Sequence, residues 1–167
     1  MTTEPLTIAQ LNSMDLATFV ARLGAVYEHA PWVAEQAWTA LPFADREALE
    51  RAMQDVVLEA GQERQLVLLR MHPPLGTRLK LGGHSLAEQT GAGLTEATAA
   101  ERAELEMLNR GYEAKFAFPF ILAVRNASVR LILDSCRTRI GSDARSEFDE
   151  SLRQVFRIAA FRLADLF

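Results

Sequence analysis

Residues 71 to 89 form a stretch that concentrates titratable side chains and residues that break helices. His72 precedes two prolines, and Ser85 and Glu88 open a segment that follows two glycines. Histidine and glutamate are side chains that exchange protons in general acid–base catalysis. This stretch is therefore the candidate active site.

Each of these residues also has a purely structural interpretation. The helix dipole favours a histidine at the C-terminal end of its own helix, which would be sufficient to explain His72. Ser85-Leu-Ala-Glu88 has the pattern of a capping box, in which the serine and the glutamate bond reciprocal backbone amides. Gln89 adds a neutral hydrogen-bonding group beside this box. The spacing leaves both the catalytic and the structural interpretations open.

Arg125 ends a continuous apolar segment that runs from Phe118 to Val124. A buried arginine requires an anion, which is either a carboxylate of the protein or one of a ligand. The alternative is an ordinary surface arginine, and the sequence does not decide between the two.

The other histidines give little support for a metal or phosphate site. His29 fits a turn histidine that caps a carbonyl, and His84 fits a solvated residue of a Gly-Gly-His-Ser segment. The three histidines lack HxH or HxxxH spacing, and there is no GxGxxG or Walker motif. We expect neither a metal nor a cofactor, and a metal-dependent hydrolase that uses His29, His72 and His84 is a distant alternative.

Length and composition favour one globular domain over residues 1–167, since 49% of the residues are hydrophobic. The net charge of -4 gives no broad positive field for nucleic acid or acidic membranes. The lone Cys136 excludes an internal disulfide, and no apolar run approaches the length of a membrane span. We expect a soluble, cytoplasmic protein with no nucleic-acid or membrane partner.

Hydrophobic spacing and capping residues predict an all-α fold. Before the candidate site they predict four helices: one through Leu16 that ends at Gly24, one that starts at Pro31, one that Asp45 caps and Gly61 stops, and one over Gln62 to Met71. Because two prolines cannot continue a helix, the fourth helix delivers His72 at its C-terminal end.

After the site, the same signals predict four more helices and one irregular segment. The helices are a short one from Ser85, a long one that begins at the Thr98/Glu101 capping box and reaches Phe116, one that Ser128 caps and Gly141 stops, and a last amphipathic one after Asp143. Phe118 to Val124 contains Pro119, which argues against a central strand, so we predict an extended, buried connector. The sequence thus predicts a single-domain bundle of about eight helices.

Five segments, taken in order, resemble the 2-oxo-4-hydroxy-4-carboxy-5-ureidoimidazoline (OHCU) decarboxylases of urate breakdown. The resemblance covers nearly the whole chain. The segments are Leu-Gly-Ala-Val-Tyr-Glu-His-Ala-Pro-Trp-Val-Ala-Glu at 23–35, His-Pro-Pro-Leu-Gly at 72–76, Ser-Leu-Ala-Glu-Gln-Thr-Gly-Ala-Gly-Leu at 85–94, Leu-Asn-Arg-Gly-Tyr-Glu-Ala-Lys-Phe-Ala-Phe-Pro-Phe-Ile-Leu-Ala-Val-Arg at 108–125 and Arg-Ile-Ala-Ala-Phe-Arg-Leu-Ala-Asp-Leu at 157–166.

The resemblance implies a cofactor-independent decarboxylation of OHCU to S-allantoin, in an all-helical protein that forms a homodimer. It implies that His72 is the general acid or proton donor and that Glu88 is the carboxylate that works with it. Substrate contacts are implied for Pro73, Ser85, Leu86, Ala87, Glu88, Gln89, Phe120, Ile121, Leu122, Ala123, Val124 and Arg125.

The chain departs from the family pattern at two positions. Pro74 stands where the family usually has an acidic residue after His-Pro, and Ala117 stands where it usually has glycine. With proline at this position, the chain lacks a carboxylate beside His72 that would cap the helix end or orient the histidine. The methyl of Ala117 lies where glycine would permit close backbone approach.

Pro74 leaves one alternative of a different class open. A non-catalytic helical module would keep the pocket but use it to bind a purine-derived anion or a partner protein.

Overall fold

The computed structural model describes residues 4–75, 97–125 and 127–167. Within these ranges the chain forms eight α-helices, one 3₁₀ turn and no strand, so the predicted all-α fold is confirmed. The helices are α1 (Ile8–Asn12), α2 (Leu16–Leu23), α3 (Pro31–Ala37), α4 (Arg46–Glu59), α5 (Gln62–Arg70), α6 (Ala99–Phe116), α7 (Val129–Arg139) and α8 (Ala144–Leu166).

The helices belong to two compact units. The first unit contains the chain up to Met71 together with Phe156–Phe167, and the second contains His72–Val155. Helix α8 therefore contributes residues to both. The organisation of the whole chain as one domain remains a prediction.

The first unit buries most of the apolar faces that hydrophobic spacing predicts for α2 and α4, but Leu16 at the start of the predicted α2 face is 37% exposed. The completely buried side chains include Phe19, Leu23, Leu49, Met53 and Val57. The last turns of α8 belong to this unit and make polar contacts within it.

Arg162, which is 2% exposed, makes those polar contacts. Its guanidinium lies 2.8 Å from a carboxylate oxygen of Glu28 and donates to the backbone carbonyls of Ala25 and Val26. Each of these contacts satisfies a buried donor, which lowers the cost of removing the charge from water.

Helix boundaries follow the predicted caps closely. Asp45 and Ser128 accept from the backbone of the first turns of α4 and α7, and Asp143 does the same for α8. Thr98 and Glu101 form the predicted capping box of α6, with both reciprocal bonds present. Gly61 has a φ of 84°, in agreement with its predicted role as a helix stop.

Helix α1 was not predicted, although its signal is present in the sequence. Thr7 and Gln10 form a reciprocal capping box at its start. The helix has only five residues, too few for a hydrophobic period to be visible. The 3₁₀ turn Trp38–Ala40 was missed for the same reason.

Ala117 ends α6 in the left-handed conformation, with φ 64° and ψ 21°. Its N–H bonds the carbonyl of Glu113 at 2.9 Å, and its side chain is exposed. Glycine at such a position has no Cβ to clash with the backbone, whereas alanine is strained there. The left-handed conformation therefore explains why the family usually has glycine at this position. The reason expected from the sequence was different, namely a close approach of the backbone.

Ala117→Gly should therefore stabilise the protein by about 1 kcal/mol, because it relieves this strain. Urea denaturation would show a higher midpoint with an unchanged slope. Ala114→Gly, an exposed interior position of the same helix, is the matched control and should lose about 1 kcal/mol. Equal losses in both variants would contradict the interpretation.

Candidate active site

His72 lies just beyond the C-terminal end of α5 and is buried, with 6% of its surface exposed. Met71 is the residue that caps α5, since its N–H bonds the carbonyls of Val67 and Leu68. The chain then leaves the helix at the two prolines, which cannot donate backbone hydrogen bonds. The helix stop thus places an ionisable side chain in a buried position.

Asn109 of α6 holds the segment that follows His72. Its Nδ2 donates to the backbone carbonyl of Leu75 at 2.8 Å, and the residue is 8% exposed. In the part of the chain that the structure describes, its Oδ1 has no hydrogen-bond partner. The bond to the Leu75 carbonyl is thus the hydrogen bond that orients this amide among the described residues.

The predicted connector is irregular and buried, as expected. Phe118, Phe120, Ile121 and Val124 are each at most 4% exposed, and Leu122 and Ala123 are half-buried. The segment has neither helical nor strand hydrogen bonding. Its backbone must therefore be fixed by other groups.

Two side chains bond the backbone of the connector. Arg139, the last residue of α7, donates from Nη1 to the carbonyl of Ile121 at 2.6 Å. Gln154 of α8 accepts the N–H of Ala123 at its Oε1, at 3.0 Å. The two bonds flank Leu122 and tie this part of the segment to two helices.

An aromatic cluster surrounds the connector. Tyr112 packs against Phe116, Phe118 and Phe120, with ring centroids 4.6, 5.9 and 5.3 Å away. Phe148 meets the edge of Phe118 at 6.2 Å. Aromatic pairs of this kind prefer tilted or edge-to-face geometry, and their large buried area gives the connector an apolar surface packed on both sides of its phenylalanines.

A buried polar network lies next to these rings. The carboxylate of Glu147 is 2.5 Å from Nη2 of Arg139, and the side chains of the two residues are 2% and 11% exposed. The same carboxylate accepts the hydroxyl of Tyr112 at 2.5 Å. The Ser151 hydroxyl lies 3.2 Å from both Tyr112 Oη and Arg139 Nη2. The guanidinium also stacks over Phe120, 4.6 Å from the ring centroid.

Burial has the expected effect on the acidic groups of this region. It raises the pKa of Tyr112 well above its ordinary value, and the hydrogen bond to Glu147 raises it further. It also raises the pKa of the Cys136 thiol to about 11. Both groups stay protonated at neutral pH, so Tyr112 remains a hydrogen-bond donor to Glu147 and Cys136 is a buried, inert thiol.

The network residues Arg139, Glu147, Ser151 and Gln154 were not predicted from the sequence. A signal was available, because Arg139 follows the buried residues Ile132 and Cys136 at helical spacing. The other three are similarly spaced, at i, i+4 and i+7. Polar residues at helical spacing on α8, together with an arginine in line with the buried face of α7, indicate a network of paired polar side chains between the two helices.

Several predicted residues lie outside the described ranges. These are His84 and the segment of Ser85, Leu86, Ala87, Glu88 and Gln89. The capping box and the pairing of His72 with Glu88 therefore remain predictions. Arg125 is half-buried at the end of the connector, where its contact with a ligand also remains a prediction.

His29 belongs to the first unit and lies in a turn with φ 50°. Its side chain is 69% exposed and lies 3.6 Å from the carboxylate of Glu28. Across residues 4–75, 97–125 and 127–167, no three His, Cys, Asp or Glu side chains cluster closely enough to hold a metal ion. No helix in those ranges is both long and apolar enough to cross a membrane.

Comparison with known proteins gives consistent results. Residues 12–164 match the profile of a family described as OHCU decarboxylase. The chain is 42% identical to the 2-oxo-4-hydroxy-4-carboxy-5-ureidoimidazoline decarboxylase of Halalkalicoccus jeotgali, and the match covers 96% of this chain and 92% of that protein.

Two longer proteins also match. The chain is 39% identical to the uric acid degradation bifunctional protein PucL of Bacillus subtilis, over 96% of this chain and 32% of that protein. The crystal structure of an (S)-allantoin synthase superimposes with a TM-score of 0.80 at 31% identity, over 97% of this chain and 54% of that chain. The chain thus spans about a third of the first and about half of the second.

The buried network predicts a large stability loss on removal of one charge. Arg139→Met should cost about 3–5 kcal/mol, because it leaves the Glu147 carboxylate buried without its positively charged partner. Adding Glu147→Gln should recover part of the loss, since the amide is neutral and can still accept from Tyr112. Urea unfolding of the single and double variants measures both effects.

Arg137→Met is the matched control on the same helix. Arg137 pairs with Glu104 and Asp134 at the surface, where 47% of its side chain is exposed. Exposed ion pairs contribute little, so this variant should unfold close to the wild type. A double variant no more stable than Arg139→Met would argue against a buried charge as the cause.

Proposed function

This chain belongs to the OHCU decarboxylase family, and we propose that it converts OHCU to S-allantoin with His72 as the general acid. It is a carboxy-lyase of urate degradation. The proposal assigns the chemistry to side chains and to the substrate ring itself, without a cofactor. Glu88 is proposed to work with His72, and Phe120–Arg125 to contact the substrate.

The observation that carries the assignment is the burial of His72 at the position that matches the catalytic histidine of the family. A histidine that served only as a solvated helix cap would be exposed, whereas His72 is 6% exposed. A buried imidazole that a partner group keeps protonated can deliver its proton to one specific acceptor. The connector belongs to the same compact unit as His72.

The proposed reaction breaks the bond between the ring carbon and its carboxylate. The electron pair of that bond moves into the ring as carbon dioxide leaves, and one proton then takes the place of carbon dioxide on the ring system. His72 would deliver that proton from one side, which gives a single enantiomer. Glu88 would hold the substrate hydroxyl and orient the histidine.

The connector supports this chemistry through its apolar character. Phe120, Ile121 and Val124 are buried side chains without polar atoms. A wall of this kind weakens the solvation of a substrate carboxylate and so favours its departure as neutral carbon dioxide. Fixed walls also keep the substrate in one orientation, which stereospecific protonation requires.

We also propose that the protein is a homodimer and is cytoplasmic, as the family resemblance implies. Light scattering of the purified protein across a range of concentrations would test the dimer. A monomer at all micromolar concentrations would contradict it.

The activity is tested by the optical activity of the product. When OHCU is generated in situ from urate, the protein should give optically active S-allantoin faster than spontaneous decay. Circular dichroism of the allantoin signal would follow both rate and enantiomer. Racemic product at the spontaneous rate would instead favour the non-catalytic module, particularly if calorimetry showed that allantoin still binds.

The role of His72 has a matched control in the same chain. His72→Asn should lower turnover at least about 100-fold, which is the usual contribution of a general acid, while the melting temperature changes little. His29→Asn makes the same substitution at an exposed turn residue with positive φ, a conformation that asparagine tolerates well.

The His29 variant should therefore keep wild-type turnover. Full activity in His72→Asn would refute the assigned role. Loss of activity in both variants would favour the metal-dependent alternative, which metal analysis of the purified protein would then examine.

A further inference from the structure

We propose that Gln154 is a positioning residue for catalysis, which fixes the substrate-binding connector through the backbone N–H of Ala123. The inference rests on the proposed function, because the position of the connector affects turnover only if Phe120–Arg125 contacts the substrate. Gln154 itself is assigned no contact with substrate.

The backbone of the connector depends on contacts from outside the segment. An irregular segment lacks the repeated hydrogen bonds that fix a helix or a strand, so its conformation depends on contacts from elsewhere. Arg139 and Gln154 supply two such contacts, to the Ile121 carbonyl and to the Ala123 N–H. Both come from residues at least 18 positions away in the chain. They set the position of the connector relative to α7 and α8.

Two hydrogen bonds fix the orientation of the Gln154 amide. Its Nε2 donates to Glu150 Oε1 at 2.7 Å, one turn earlier on α8, so that its Oε1 is directed to Ala123. Gln154 is 5% exposed and has little freedom to rotate. Burial raises the pKa of Glu150, but hydrogen bonds from Gln154 and Arg153 outweigh it and leave the pKa below its ordinary value. Glu150 is therefore an ionised acceptor at neutral pH.

Gln154 separates positioning from stability better than Arg139 does. Arg139 also pairs with Glu147 and stacks on Phe120, so its removal damages the buried network and the connector together. Gln154 makes one bond to the connector and one within its own helix. A substitution there frees Ala123 without leaving a buried charge unpaired.

A loosened connector should affect binding more than chemistry. The connector would contact the substrate both before and during the reaction, so its displacement weakens ground state and transition state together. The expected signature is a raised KM with a nearly unchanged kcat. A purely structural role would lower the melting temperature without this kinetic change.

The experiment compares Gln154→Met with Gln65→Met. Gln65 is a second buried glutamine, 8% exposed, whose Nε2 donates to the backbone carbonyls of Val57 and Leu58 in the first unit. Methionine keeps the length of the side chain but makes neither bond. Both variants replace a buried glutamine and remove its side-chain hydrogen bonds to the backbone, so the two melting temperatures should fall by similar amounts.

Steady-state kinetics on OHCU generated in situ should distinguish the variants. For Gln154→Met we expect KM to rise about tenfold, with kcat within about threefold of the wild type. For Gln65→Met we expect KM within about twofold of the wild type. Calorimetric titration with (S)-allantoin provides a second readout, in which only Gln154→Met should bind more weakly.

An exchange of side chains provides a rescue. Gln154→Glu places a second carboxylate beside Glu150, so the two repel and the contact to Ala123 is disturbed. Adding Glu150→Gln restores both bonds, because the new carboxylate at position 154 accepts from Ala123 and from the new amide at position 150. We expect the single Gln154→Glu variant to have a raised KM and the double variant to return to within about threefold of the wild type.

Three outcomes are distinguishable. A wild-type protein that forms S-allantoin, with KM equal in Gln154→Met and Gln65→Met, overturns the positioning role and leaves the proposed function intact. A wild-type protein without turnover overturns the proposed function, and this inference with it. A selective rise in KM that the exchange reverses supports the positioning role.

Discussion

The carboxylate of Glu147 is removed from water, and this constraint determines how the surrounding chain can pack. An isolated buried charge would cost several kcal/mol, so Glu147 must be met by donors from other elements. Arg139 of α7, at 2.5 Å, and Tyr112 of α6, also at 2.5 Å, supply them. One carboxylate on α8 thus specifies which faces of three helices turn toward one another.

The same constraint reaches the connector, because Arg139 has more donors than Glu147 can use. One of them bonds the carbonyl of Ile121, and the guanidinium plane covers Phe120. Tyr112 likewise joins the network to the aromatic cluster through its ring. Polar and apolar contacts therefore act together on the connector, which has no regular secondary structure of its own.

Local signals in the sequence were sufficient for most helix boundaries and insufficient for the polar interior. A cap such as Asp45 or the Thr98/Glu101 pair acts on residues three positions away, so its effect can be predicted from spacing. Asn109 instead bonds a carbonyl 34 positions earlier, and Gln154 bonds an amide 31 positions earlier. Such pairs depend on how helices pack, which no local pattern contains. Ala117 departs from the family's usual glycine, and its backbone angle, φ 64°, gives the physical reason for that glycine.

An all-α protein has few backbone groups to offer a ligand. Inside a helix each N–H and C=O is bonded to its own turn, so only helix ends and connectors present free backbone groups. Both described segments that we assign to the site, Pro73 beside His72 and Phe120–Arg125, are non-helical. Irregular backbone must then be held by side chains, which explains why buried amides and an arginine accompany these segments. Asn109 holds the carbonyl of Leu75, and Arg139 and Gln154 hold the connector. A helical protein that presents connectors to a ligand thus needs polar side chains in its interior to hold them.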